Sequence, residues 1–154
     1  MPFNWKYVAW LDADMNFLNK QWASETILAL KRDKAQYLQL FSHIHQMSPN
    51  KSQSLYVQES FAYRHVTLNN GLGGHPGFAW ASSRWTLERT SGLIDEHILG
   101  SSDYLIALAL VHKSHQKYLN RMSDVFVNVM KLFEEKCDKH LIKLSFINVN
   151  YSKL

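Results

Sequence analysis

A nearly continuous apolar run, Tyr7-Val8-Ala9-Trp10-Leu11, stops abruptly at Asp12-Ala13-Asp14. Its shortness and unbroken apolar character predict a strand buried on both faces, which needs neighbouring strands on both sides. The two carboxylates then sit at the strand's carboxyl end, where open α/β sheets bind ligands. Neither can be buried unpaired without a large desolvation cost. A hard divalent cation, Mg²⁺ or Mn²⁺, is their natural partner, because it takes oxygen ligands and binds through one or two carboxylates plus phosphate oxygens. The plain alternative for such a pair is a solvated turn with a helix cap.

Downstream, strands and helices alternate. Asn19 is a candidate N-cap for a helix from about Lys20 to Arg32, with Trp22, Ala23, Ile27 and Leu30 toward the core. A strand is expected near Gln36–Phe41, a loop over Ser42–Ser54 and a further strand over Leu55–Ser60. His43 and His45 alternate within that loop, with nothing nearby to complete a metal set. The segment 69–77 holds four of the chain's six glycines, and is a candidate for a mobile or substrate-contacting loop. Phe78–Ala81 reads as a strand, and Ser83 caps a short helix that stops at Gly92. Ser101 or Ser102 caps a helix carrying Asp103 in its first turn and running to about His112. A long helix places Tyr118, Met122, Val125, Phe126, Val129, Leu132 and Phe133 on one stripe, with Lys131, Glu134 and Glu135 outside it. The tail from Leu141 to Val149 alternates loosely, as a strand does. The pattern predicts an α/β layer arrangement.

Composition narrows the function classes. An apolar fraction of 46% supports a packed core and argues against disorder. The net charge of +4 favours anionic partners weakly, but the basic residues form no stripe, so no nucleic-acid partner is expected. Cys137 stands alone, which excludes an intramolecular disulfide and a Cys-x-x-Cys zinc site and fits a reducing, cytoplasmic setting. No signal peptide is visible, and no apolar stretch is long enough for a transmembrane segment. Five Trp and seven Tyr suit sugar stacking as well as core or interface packing.

The string Lys6–Phe17 resembles the apolar strand plus Asp-x-Asp of nucleotide-sugar transferases. Gly74-His75-Pro76-Gly77-Phe78-Ala79-Trp80-Ala81, then Gly92-Leu93-Ile94-Asp95, then Leu99-Gly100-Ser101-Ser102-Asp103, is similar to the acceptor-side half of family 2-like glycosyltransferases. The resemblance covers roughly Trp5 to Val111. It implies a partial A-type glycosyltransferase fold, a mixed sheet with flanking helices, lacking the N-terminal nucleotide-binding unit. The chain 1–154 would be one truncated catalytic domain, with 1–113 as the metal and acceptor half and 114–154 as the C-terminal helix and tail. By the same resemblance Asp14 coordinates Mn²⁺ or Mg²⁺ bridging the donor diphosphate, and Asp12 contacts the donor or assists the metal shell. If the enzyme is inverting, the resemblance makes Asp103 the general base; an Asp in the first turn of a helix also suits the helix dipole alone. Gly74, His75, Trp80 and Asp95 lie on the acceptor side, with Trp80 a candidate for sugar stacking.

The implied activity is metal-dependent transfer of a sugar from a nucleotide-diphosphate donor to a glycan or other hydroxyl acceptor. A separate N-terminal half or a homo-oligomer would be its protein partner. Two rivals remain at this level. A haloacid dehalogenase-type phosphatase wants Asp-x-Asp-Gly-Thr, whereas Met15-Asn16 follows here. A non-catalytic fragment or assembly module would keep the fold without donor or metal binding.

Overall fold

The computed structural model describes residues 4–68, 72–94, 102–113, 122–148 and 150–153. Its elements run β1 (Tyr7–Leu11), β2 (Met15–Phe17), α1 (Trp22–Arg32), β3 (Gln36–Gln39), β4 (His43–Met47), β5 (Ser54–Glu59), α2 (Phe61–Thr67), β6 (Ala79–Ser83), α3 (Arg84–Thr90), α4 (Ser102–Leu110), α5 (Asp124–Lys139), β7 (Lys143–Phe146) and β8 (Asn150–Lys153). The protein is mixed α/β. One four-stranded sheet has the order β1-β6-β3-β7 and a second has β2-β8-β4-β5. Both are mixed: β3 pairs antiparallel with β6 and parallel with β7, and β4 pairs antiparallel with β5 and parallel with β8.

Strand β3 is central and buried at every position, including its two glutamines, Gln36 and Gln39. Its side chains alternate between two cores. Tyr37 faces a core shared by Trp80, Leu144 and helices α4 and α5, while Leu38 faces Ala29 and Leu30 of α1 together with Ala79 and Ala81. The first sheet is thus covered on both faces. Tyr37 is fully buried, and its hydroxyl lies 2.8 Å from the Thr90 hydroxyl and donates to the Gly92 carbonyl at 3.1 Å. It therefore ties β3 to the end of α3. Tyr37→Phe is expected to cost about 1 kcal/mol and to lower Tm by roughly 2–4 °C in a calorimetric scan.

The structure corrects several expectations. Strand β1 is not buried on both faces. Among the described strands it is an edge strand with one antiparallel neighbour, β6, and Ala9 and Leu11 are exposed. Residues 43–47 are not loop but β4, held between β5 and β8, so polar His43 and His45 sit on a strand whose buried position is Ile44. Helix α1 starts later than expected. Asn19 accepts from the Gln21 amide and donates to Glu25 rather than capping the helix, and the buried positions are Thr26, Ala29 and Leu30 instead of Ala23 and Ile27. In α5 the core stripe is Phe126-Met130-Phe133-Cys137, with Glu134 also buried, while Val125 and Leu132 are exposed. That stripe follows the i, i+4, i+7, i+11 spacing of a straight helix. Helix α2 and strands β2 and β8 complete the list of elements the pattern alone does not reveal. Ser83 caps α3 as expected by accepting from the Thr86 amide, and that helix stops where Ser91 and Gly92 take positive φ. Tyr118 and Asp95 lie outside the described residues. No helix among the described residues is long and apolar enough to cross a membrane.

Candidate functional site at the end of the first strand

Three segments far apart in sequence converge at the carboxyl end of β1. The β1–β6 ladder continues one residue past the strand, where the Asp12 amide donates to the Phe78 carbonyl at 2.8 Å. This fixes Asp12-Ala13-Asp14 beside the turn at His75–Phe78. Both carboxylate residues are exposed, and the Met15 amide closes the turn by donating to the Asp12 carbonyl at 3.3 Å.

The same turn touches the start of α4. A Cβ placed on Gly77 would lie 3.2 Å from Oδ2 of Asp103 and 3.3 Å from Cε1 of His75. A side chain here would require the Asp103 carboxylate or the His75 ring to shift by a few tenths of an ångström. Asp103 is partly buried in the first turn of a helix whose next turns are wholly apolar. Burial raises its pKa above the ordinary carboxylate value, and the charge of Asp12 raises it further. Asp12 and Asp103 therefore sense each other electrostatically, as two carboxylates at one site do.

A network of backbone and side-chain bonds holds the turn in place. Gly74 has φ of +77°, and a Cβ there would sit 2.7 Å from the Ser60 carbonyl oxygen and 2.8 Å from that of Glu59. The strand-like bridge Ser60–His75 runs through this contact: the His75 amide donates to Glu59 at 2.8 Å, and the Phe61 amide donates to His75 at 3.0 Å. Gln39, fully buried, completes the clamp. Its Nε2 donates to the carbonyls of His75 and Gly77 at 2.8 and 3.3 Å, and its Oε1 accepts from the Ala62 amide at 2.9 Å. Nδ1 of His75 accepts from the Gly77 amide at 3.1 Å, which leaves the proton of the neutral ring on Nε2. The ring stacks on Phe78 with centroids 3.6 Å apart. Phe78 itself has φ of +79°, a conformation that costs an aromatic residue about 1–3 kcal/mol. A strained residue sits between the two carboxylate-bearing segments.

The expected site residues fare differently. Asp12, Gly74, His75 and Asp103 come together, and Asp14 follows Asp12 on the exposed turn. Trp80 does not present a stacking face. It is 2% exposed in the core, and its Nε1 donates to the Pro76 carbonyl at 2.7 Å, so its contribution is to hold the turn from below. The described part of the glycine-rich segment, a candidate for mobility or for substrate contact, is held at the amide and the carbonyl of His75; residues 69–71 lie outside the described residues. Gln39, absent from the sequence-level candidates, had one available signal: a glutamine within a strand otherwise reading as buried must find partners for both ends of its amide.

Among the described residues, no group of three or more His, Cys, Asp or Glu could cage a metal ion. Two exposed carboxylates one residue apart still fit a hard cation that completes its shell with water and phosphate oxygens. Comparison with family models, with curated proteins and with solved structures gives no match.

Proposed function

We propose that the protein is a metal-dependent glycosyltransferase of A-type fold, transferring a sugar from a nucleotide-diphosphate donor to an acceptor hydroxyl. The observation that carries this reading is the meeting of the Asp12 and Asp103 segments across the Gly77–Phe78 turn. An exposed Asp-x-Asp turn suits a donor diphosphate, and a carboxylate a short distance away suits the acceptor.

In an inverting displacement the Asp103 carboxylate takes the proton of the acceptor hydroxyl. The acceptor oxygen forms a bond to the anomeric carbon as the bond from that carbon to the diphosphate oxygen breaks, and the electron pair leaves with the nucleotide diphosphate. A cation held by Asp14 and Asp12 would neutralise charge on that leaving group. His75, Gly77 and Gln39 position the turn that separates the two halves of the site.

Only ionised Asp103 can accept the proton. In the metal-free protein the Asp103 carboxyl should titrate above the ordinary carboxylate range, because burial and the Asp12 charge raise its folded-state pKa, as its carboxyl NMR shift would read. That titration should move to lower pH in Asp12→Asn, which removes the neighbouring charge; a titration unchanged by that substitution would separate the two residues.

The test of donor binding is calorimetric titration with UDP and with GDP, each with and without Mn²⁺. Mn²⁺-dependent binding of at least one nucleotide, lost in Asp14→Ala, is expected. Failure of both nucleotides to bind with Mn²⁺ would favour the assembly-module reading.

A further inference from the structure

The outer edge of β1 is unpaired by any described strand, yet β1 carries none of the usual protections of an edge. Its five residues, Tyr-Val-Ala-Trp-Leu, include no charge and no proline, and its ladder to β6 runs without a register shift. Natural sheets blunt free edges with lysines, prolines or bulges. Here the charges lie just outside the strand, Lys6 before it and Asp12 after it.

The direction of the backbone groups follows from the bonds at both ends of the ladder. Lys6 accepts from the Arg84 amide at 2.8 Å, and Asp12 donates to Phe78 at 2.8 Å. Even-numbered positions therefore direct their amide and carbonyl groups to β6. Tyr7, Ala9 and Leu11 direct theirs outward, because the two directions alternate along an antiparallel strand. These outward positions are symmetric about Ala9.

We propose that β1 is the interface of a homodimer, in which two copies pair edge to edge and antiparallel about a two-fold axis through Ala9. In that register Ala9 pairs with the partner's Ala9 and Tyr7 pairs with the partner's Leu11, so every outward amide and carbonyl of the strand is used. Lys6 then stands opposite the partner's Asp12, twice over by symmetry, on the face that carries Val8 and Trp10. Opposite charges directly across two strands are favourable.

Apolar surface agrees with the same register. Opposed residues project to the same face of a sheet, so the partner's Leu11 falls beside Tyr7. There an apolar recess of about 160 Å³ is lined by Tyr7, Ala9, Trp22, Ala23 and Ile27. Leu11 and Ile27 are 41% and 38% exposed in the single chain, and pairing brings apolar neighbours to this exposed surface. A second copy satisfies backbone, charge and apolar requirements together, which is the self-complementarity that a two-fold interface demands.

Sedimentation velocity on the full chain should show a concentration-dependent species of twice the 18.0 kDa mass. Ala9→Pro removes an outward amide and no β1–β6 bond, so it should be monomeric with an unchanged circular dichroism spectrum. Lys6→Glu, which faces two like-charged pairs, should weaken the dimer about tenfold. Ala9→Cys should give a disulfide-linked dimer on oxidation, since Cα atoms of such a pair lie about 5.5 Å apart. Val125→Cys, exposed on α5, should not, and Cys137 is buried. The cross-link reads the register even if Ala9→Pro fails to fold. A wild-type chain that stays monomeric throughout, or an Ala9→Cys chain that cross-links no better than Val125→Cys, overturns the proposal. So does a chain that remains monomeric and takes up only a foreign strand at this edge.

Discussion

Replacing Asp103 by Asn is expected to lower sugar transfer by about 10²–10⁴-fold, the usual contribution of a positioned general base. The amide has nearly the same shape as the carboxylate, so the α4 turn against Gly77 is preserved, but it cannot take up the acceptor proton. Stability should move the other way. Asp103 has a raised pKa in the folded protein, so the folded state holds its proton more tightly than the unfolded chain does. Its contribution to stability is present below the unfolded value and is lost as pH rises through the folded one. At neutral pH the ionised group is destabilising, and Asn relieves it. The residue is partly exposed, so solvent screening keeps the gain below about 1 kcal/mol, a Tm rise of at most roughly 2–4 °C. Initial rates and a thermal scan on the same preparation check both signs. A variant that loses activity and stability together would make Asp103 a structural residue.

Gly74→Ala is the second large effect. At φ of +77° an alanine is strained, and its Cβ would meet the Ser60 and Glu59 carbonyl oxygens inside 3 Å. These are backbone atoms that cannot swing aside. The left-handed conformation costs about 1–2 kcal/mol and the overpacking about 1–3 more, so a loss of roughly 2–5 kcal/mol is expected in urea unfolding. If the chain still folds, the Ser60–His75 bridge must open, which releases the His75 and Gly77 carbonyls from Gln39. Nucleotide binding and transfer should then both fall, because the turn touches Asp103 through Gly77 and anchors the Asp-x-Asp pair through the Asp12 amide on Phe78.

How far the sequence discloses this protein depends on whether a signal is local. Strand β3 is legible through Tyr37 and Leu38, which lead into Leu40 and Phe41, whereas Gln36 and Gln39 interrupt the apolar pattern and are buried with amide partners of their own. Ser83, with its cap on Thr86, and Gly92 mark α3 because caps and positive φ are properties of single residues. Strand β1 is the more continuously apolar of the two, yet among the described strands it lies at the sheet edge, since neighbours are assigned by tertiary pairing and not by the strand itself. His43 and His45 obscure β4 for a similar reason: only Ile44 is fully buried, so periodicity has one residue to work with.

The site shows the same division. Asp12, Asp14 and Asp103 are chemically conspicuous and are recognisable as candidates. The features that unite them are not: a glutamine that clamps three backbone groups, a strained Phe78, and a glycine whose missing side chain admits a carboxylate. Trp80 errs in the opposite direction. Its aromatic ring suggests ligand stacking, whereas strand alternation places it in the core opposite the helices.

The central claim is that the Asp-x-Asp turn and the start of α4 belong to one site. Paramagnetic broadening by Mn²⁺, in the presence of whichever of UDP or GDP binds, tests it by nuclear magnetic resonance. Asp12, Asp14, Gly77 and Asp103 should broaden together, while residues in the middle of α5, such as Met130, should keep their intensity. Broadening that takes in Asp12 and Asp14 but leaves Gly77 and Asp103 sharp would contradict the account.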